Sequence, residues 1–235
     1  MLSEAINYPR TGENYERTLA IGTVLTIFGF LLIPVLPVLG YLLAVLRRTA
    51  KGEVDAPPVF EDWETLFVDG IKVFVVGFVY SIIPAIVLTV FAGGAALAIA
   101  SGNGMGRAFG ALGAFGGLLL ALVLALAFAY LVPVALVRMA LDGRIGSAFA
   151  FGEFVPVLTN GRYATGWLLA LLVSLVVGAV ASLLAAIPIL GWIVTAIISF
   201  YAWMTVTYIY GTAYAAASEE IEGNQAEPAD RGAAA

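Results

Sequence analysis

Four stretches of this chain run without a single charged side chain: Leu19 to Leu46, Val73 to Ser101, Ala108 to Val137 and Ala164 to Ser218. Each reaches the ~20 apolar residues that an α-helix needs to cross a bilayer. Soluble domains carry about 25% charged residues, whereas here 11% are charged and 62% hydrophobic. The expected fold is therefore all-α, a polytopic transmembrane helical bundle in the cytoplasmic membrane. Its expected organisation is an N-terminal interfacial segment over 1–18, one helical domain over 19–217 and an acidic disordered tail over 218–235. The opening MLSEAINYPRTGENYERT lacks the basic start and small-residue cleavage site of a signal peptide, so the first apolar run is expected to be retained.

The first run would measure about 42 Å as one helix, longer than the ~30 Å hydrocarbon core yet too short for two crossings. A single crossing kinked at Pro34 and Pro37 is favoured over a re-entrant hairpin. The second run contains Pro84 and the third Pro133, with the glycine-rich turn SGNGMGRAFG between them. The last stretch is long enough for two crossings divided near Pro188, because proline is poorly tolerated inside a helix. That gives five spans, or six segments if the first is re-entrant.

Basic residues in short connections set orientation. Arg47, Arg48, Lys51 and Lys72 lie in one connection and Arg138, Arg144 and Arg162 in another, while the opposite face has only Arg107. Both long connections are expected in the cytoplasm. Five spans then place the tail inside and the N-terminus outside, against the pull of Arg10 and Arg17. A re-entrant first segment resolves that conflict.

A fixed offset that lays Arg47 on Arg138 also lays Gly52 on Gly143, Phe60 on Phe151, Trp63 on Phe154 and Gly70 on Gly161. The matches fall on punctuation and apolar-face positions, as an internal repeat over about 41–77 and 132–168 requires. Each copy carries a short amphipathic stretch between spans. Phe60, Trp63, Leu66, Phe67 and Gly70 fall on one helical face, with Glu61, Asp62, Glu64 and Asp69 around it. Pro57 and Pro58 are expected to open this interfacial helix, and the dipeptides Asp69-Gly70 and Asn160-Gly161 to end the two helices.

EAINYPRTGENYERTLAIG, PVLGYLLAVLRRTAKGE, PPVFEDWETLFVDGIK, IGSAFAFGEFVPVLTNGRYATGWLLA and PILGWIVTAIISFYAWMTVTYIYGTAY occur in that order and cover nearly the whole chain to about Tyr214. In these motifs the sequence resembles archaeal, largely haloarchaeal, integral membrane proteins catalogued as domain of unknown function 4013. The resemblance implies a multi-span archaeal membrane protein with no assigned activity. VRMALDG, Val137 to Gly143, departs from it, being less polar than the expected loop entry. A net charge of −5 with little lysine independently suits a halophilic source.

The absence of cysteine and histidine removes thiolate chemistry, disulfides and the commonest metal ligand, so no metal and no cofactor are expected. No basic stripe exists to neutralise phosphates, which excludes nucleic acid as a partner. GMGRAFG follows no strand and is a flexible turn rather than a phosphate loop. Gly106, Gly110, Gly113 and Gly117 are spaced for close helix packing. Glu61, Asp62, Trp63, Glu64 and Asp69 form a candidate interaction face, more often paired with the chain's own arginines than with a cation. Ser199, Trp203 and Thr207 form a polar line along the last span, read as packing before solute path. No ionisable residue lies in a span core, which weighs against a pump, a coupled carrier or an intramembrane enzyme. The expected role is a non-catalytic membrane interaction or organisation module whose partners are membrane lipid and a protein partner or second copy of the chain. The alternatives are an uncoupled channel for a small solute and an accessory subunit.

Overall fold

The structure is a computed structural model that describes residues 2–101, 104–184 and 186–233, with side chains to 224. Every regular element among them is helical. Eight α-helices follow in order: α1 (Leu2–Asn7), α2 (Tyr15–Ile27), α3 (Val35–Ala50), α4 (Trp63–Ala100), α5 (Gly104–Asp142), α6 (Phe151–Leu158), α7 (Gly161–Leu184) and α8 (Leu190–Ala233). Short 3-10 turns occupy Tyr8–Arg10, Phe28–Leu31 and Ile145–Phe149. Among the described residues four helical stretches are long and apolar enough to cross a membrane: Trp63–Ala100, Gly104–Asp142, Gly161–Leu184 and Leu190–Asn224. The division expected near Pro188 falls between α7 and α8, and the tip of the turn after α4, Gly102 and Asn103, lies outside the described residues.

The first apolar run departs from expectation. It is not one kinked helix but two helices joined through Phe28–Leu31, with Leu32 in a left-handed conformation at φ 63°. Pro34 is the N-cap of α3 and Pro37 lies in its first turn, where a missing N–H costs no intrahelical bond. The prolines thus begin a helix instead of bending one. At about 20 Å and about 24 Å, α2 and α3 each fall short of the ~30 Å core.

The chain divides into two compact units, one of Met1–Phe74 with Pro133–Ala235 and one of Val75–Val132. In the first, α8 is the hub, packed by α7, α3, α2 and α1. Its core is aromatic: Tyr41 stacks on Phe60 with centroids 4.3 Å apart, Phe200 lies against both, and Tyr8 sits 4.6 Å from Tyr208. The N-terminal segment is therefore more than interfacial, since Ala5, Tyr8 and Pro9 are buried with α8 as their neighbour. Two glycines let α3 and the first turns of α4 touch backbone to backbone. A Cβ on Gly40 would lie 2.9 Å from Leu66 Cα, and one on Gly70 would lie 3.0 Å from Leu36 Cα.

That contact corrects a second expectation. Asp69-Gly70 ends no helix; α4 runs through it unbroken. The absent Cβ serves the Leu36 contact and not a turn. Nor does the helix open at Pro57 and Pro58, because it starts at Trp63, capped by Asp62. Asn160 does mark a boundary: its Oδ1 accepts the Arg162 N–H at 2.8 Å as α7 begins. Residues 218–233, expected as a disordered tail, continue α8, whose stretch SEEIE is rich in the strong helix former glutamate.

In the second unit, stretches of α4 and α5 pack through two of the four expected glycines. A Cβ on Gly110 would lie 2.7 Å from Ile99 Cγ1, and one on Gly117 would lie 2.8 Å from Phe91 Cδ1. Gly113 faces open space and Gly106 is half-buried. Tyr80 and Phe128 add a ring contact at 5.8 Å. The rest of this surface is apolar and exposed, including Phe78, Val90, Leu97, Leu112 and Phe115.

Candidate functional site

Charge in the first unit gathers where helices end. α3 finishes with Arg47 and Arg48 in its last turn, a placement the helix dipole favours. Arg47 Nη2 donates to Asp69 Oδ2 at 2.7 Å, and Lys72 Nζ donates to Asp69 Oδ1 at 2.8 Å. Both carboxylate oxygens are thus engaged in a side chain only 5% exposed. Arg47 Nε also donates to the Ala140 carbonyl at 2.8 Å, one of the last-turn carbonyls of α5 that no intrahelical N–H reaches. One guanidinium therefore clasps the C-terminal end of α5 and the acid of α4 to the end of α3.

Further pairs follow the same plan. Arg138 meets Glu153 and lies 3.9 Å from Asp142, Arg162 Nε donates to Glu220 Oε2 at 2.6 Å, and Arg48 Nε donates to Glu53 Oε2 at 3.3 Å. Each of these pairs except Arg138–Asp142 has at least one exposed partner, Glu53, Glu153, Arg162 or Glu220, and such pairs contribute little stability.

The five acidic and aromatic residues expected to share a face do not share one. Asp69 is turned inward to Arg47 and Lys72. Asp62 is the N-cap of α4, accepting the Thr65 N–H at 3.1 Å. Trp63 packs its ring 5.9 Å from Phe60, while Glu61 and Glu64 remain exposed. The hydrogen bonds from the Thr65 side chain and then its N–H hold the Asp62 carboxyl below its usual value of 3.8. Asp62→Ala is expected to lower the unfolding temperature at neutral pH. A depressed folded pKa stabilises above 3.8 and is lost as pH falls through the folded value, so the deficit should vanish in acid. Asp62→Asn, which still caps, should show neither the neutral deficit nor the pH dependence; unfolding curves between pH 2 and pH 7 check both.

The residues of the polar line on α8 border two clefts, with Trp203 in both. Trp203 and Thr207 line a cleft of ≈ 460 Å³ with Thr26, Gly29 and Val35, and Trp203 with Ser199 lines a second of ≈ 310 Å³ with Thr26, Trp192 and Thr195. Thr195 Oγ1 is buried there with no hydrogen-bond partner among the described residues. Thr26, in the last turn of α2, borders both clefts, and sequence reasoning missed it because periodicity along one helix says nothing about what faces it. Tyr8 was missed likewise: burial pushes its hydroxyl well above the usual range, partly opposed by Arg48, and it donates to the Ala56 carbonyl at 3.3 Å. Among the described residues no three acidic side chains converge as metal ligands would.

A family model described as a protein of unknown function, DUF4013, matches residues 22–187. No curated protein and no solved structure matches the chain.

Proposed function

We propose that this chain, which belongs to the DUF4013 family of proteins of unknown function, is a non-catalytic module of the cytoplasmic membrane that works through contacts within the bilayer. One observation carries the reading. Every charged residue between 73 and 218 stands at a helix end or in a connection: Arg107 in the first turn of α5, Arg138 and Asp142 in its last turns, and Arg144, Glu153 and Arg162 in or beside the loops around α6. Ionisable groups inside spans are costly and mark ion paths, relays and catalysts. What this chain exposes in quantity is apolar side chain, as along Phe78, Val90, Leu97 and Leu112.

Four crossings, with α2 and α3 as a re-entrant pair, fit this role. Arg10, Arg17 and both arginine-bearing connections then lie on the cytoplasmic side with the C-terminus, as the distribution of basic residues demands. Single cysteines at Glu13 and Glu64 should label from one side and a cysteine at Arg107 from the other; Glu13 labelling with Arg107 would overturn the four-span topology. Internal duplication is supported by Gly52 and Gly143, which the offset between Arg47 and Arg138 superimposes and which take φ of 80° and 73°.

A second reading, an uncoupled channel for a small solute, is favoured by the clefts that Ser199, Trp203 and Thr207 share with Thr26. Reconstituted vesicles separate the two. The module reading expects no protein-dependent solute release, together with stoichiometric co-purification of a second protein or copy; release that Trp203→Ala alters would replace it with the channel.

A further inference from the structure

A further cleft in the first unit, larger than either cleft on the polar line, belongs to neither that line nor the charged clasp. Its walls are Leu172 and Val176 of α7 and Ile197 of α8, and Leu2 and Ile6 of α1 roof it. At ≈ 620 Å³ it lies within the ~300–1,000 Å³ range of small-molecule sites. The walls are apolar and open: Leu2, Ile6, Leu172, Val176 and Ile197 are all exposed. The Tyr201 hydroxyl donates to the Ile6 carbonyl and so fixes the roof to α8.

Among the described residues one charge borders this groove. Arg10 lines it, its guanidinium 5.5 Å from the centroid of the Tyr201 ring. It is exposed and forms no ion pair with a described carboxylate, unlike Arg47, Arg48, Arg138 and Arg162. A long apolar trough closed at one place by a guanidinium that no described carboxylate pairs with is complementary to a molecule with a hydrocarbon chain and an anionic head. The surrounding bilayer supplies such molecules at high local concentration.

We infer that the groove between α1, α7 and α8 is a binding site for an anionic membrane lipid, one acyl chain lying along Leu172, Val176 and Ile197 and the head group on Arg10. The inference rests on the chain's residence in a bilayer and is independent of whether it acts as module or channel. A phosphate held over an arginine that already stacks on tyrosine gains a charge-assisted, geometrically fixed contact. A basic residue near the membrane surface contributes about 1 kcal/mol toward anionic lipid, which is about a fivefold preference.

Native mass spectrometry of the full chain, released from detergent in the presence of equal phosphatidylglycerol and phosphatidylcholine, tests this. Wild type should retain phosphatidylglycerol about fivefold over phosphatidylcholine. Arg10→Gln should lose that preference, whereas Arg107→Gln should keep it. Val176→Trp, which fills the groove but leaves Arg10, should retain less of both lipids. Equal retention of the two lipids by wild type, an undiminished preference in Arg10→Gln, or an equal loss in Arg107→Gln would overturn the assignment. Full retention by Val176→Trp would overturn the placement of the chain. None of these outcomes alters vesicle release or co-purification, so the lipid site and the proposed role fail separately.

Discussion

Gly40→Ala is expected to destabilise the fold by about 3 kcal/mol, the upper end for overpacking. The added Cβ would meet the carbonyl carbon of Leu66 at 2.7 Å and its Cα at 2.9 Å. These are backbone atoms of a helix and cannot rotate aside as a side chain would. The axes of α3 and the start of α4 must separate, and the Tyr41–Phe60 stack beside them loosens. Gly70→Ala attacks the same interface from the other helix, with its Cβ 2.5 Å from the Leu36 carbonyl carbon. Because either substitution alone already parts the helices, the double variant should lose clearly less than the sum of the two. Gly77→Ala, with nothing within 4 Å, should instead be neutral or gain up to about 1 kcal/mol in helix propensity. Unfolding in mixed micelles followed by tryptophan emission reads all four.

Asp69→Ala should cost about 3 kcal/mol, the low end for breaking a buried pair. Arg47 and Lys72, at 28% and 24% side-chain exposure, can recover some water when the acid is removed, which keeps the loss from being larger. Removing Arg47 as well, in Arg47→Met with Asp69→Leu, should return much of the stability, since an apolar pair of similar volume avoids the desolvation of two charges. It should not return all of it, because the Ala140 carbonyl then loses its donor. The deficit of Asp69→Ala should also persist in high salt, where exposed pairs such as Arg48–Glu53 are screened. If 1 M salt erased it, the pair would be acting as a surface bridge and the clasp would be a poor description.

The membrane character, the division near Pro188 and the gathering of basic residues between the apolar runs were legible because each rests on local composition. The break in the first run was not. Its warning was length, too long for one crossing and too short for two, but prolines that kink a helix and prolines that begin one look alike in sequence. Leu32 gives no warning at all, since leucine rarely takes the left-handed conformation it holds. Asp69-Gly70 misled for a related reason: turn chemistry reads the dipeptide alone, whereas Leu36 decides what Gly70 is for. Asp69 belonged to the polar side of its helix by phase, and only the third dimension supplies a partner 22 residues away. On α8, the spacing of Ser199, Trp203 and Thr207 puts them along one side of the helix, because one helix face is a local property. The clefts they border depend on α2 and α3 and so lay beyond that reasoning.

The seating of residues 5–10 on α8 has a consequence for the order of folding. The Ile6 carbonyl receives its hydrogen bond from a tyrosine 195 positions later, and Tyr8 packs on Tyr208. These residues are synthesised 195 or more positions before the α8 residues they meet. Contacts of such separation are slow to form, so Ile6 and Tyr8 gain their contacts with α8 only after most of the described chain has been made. The seating of Tyr8 on Tyr208 cannot precede synthesis of α8, which puts the α1–α8 contact among the late steps in assembling the first unit.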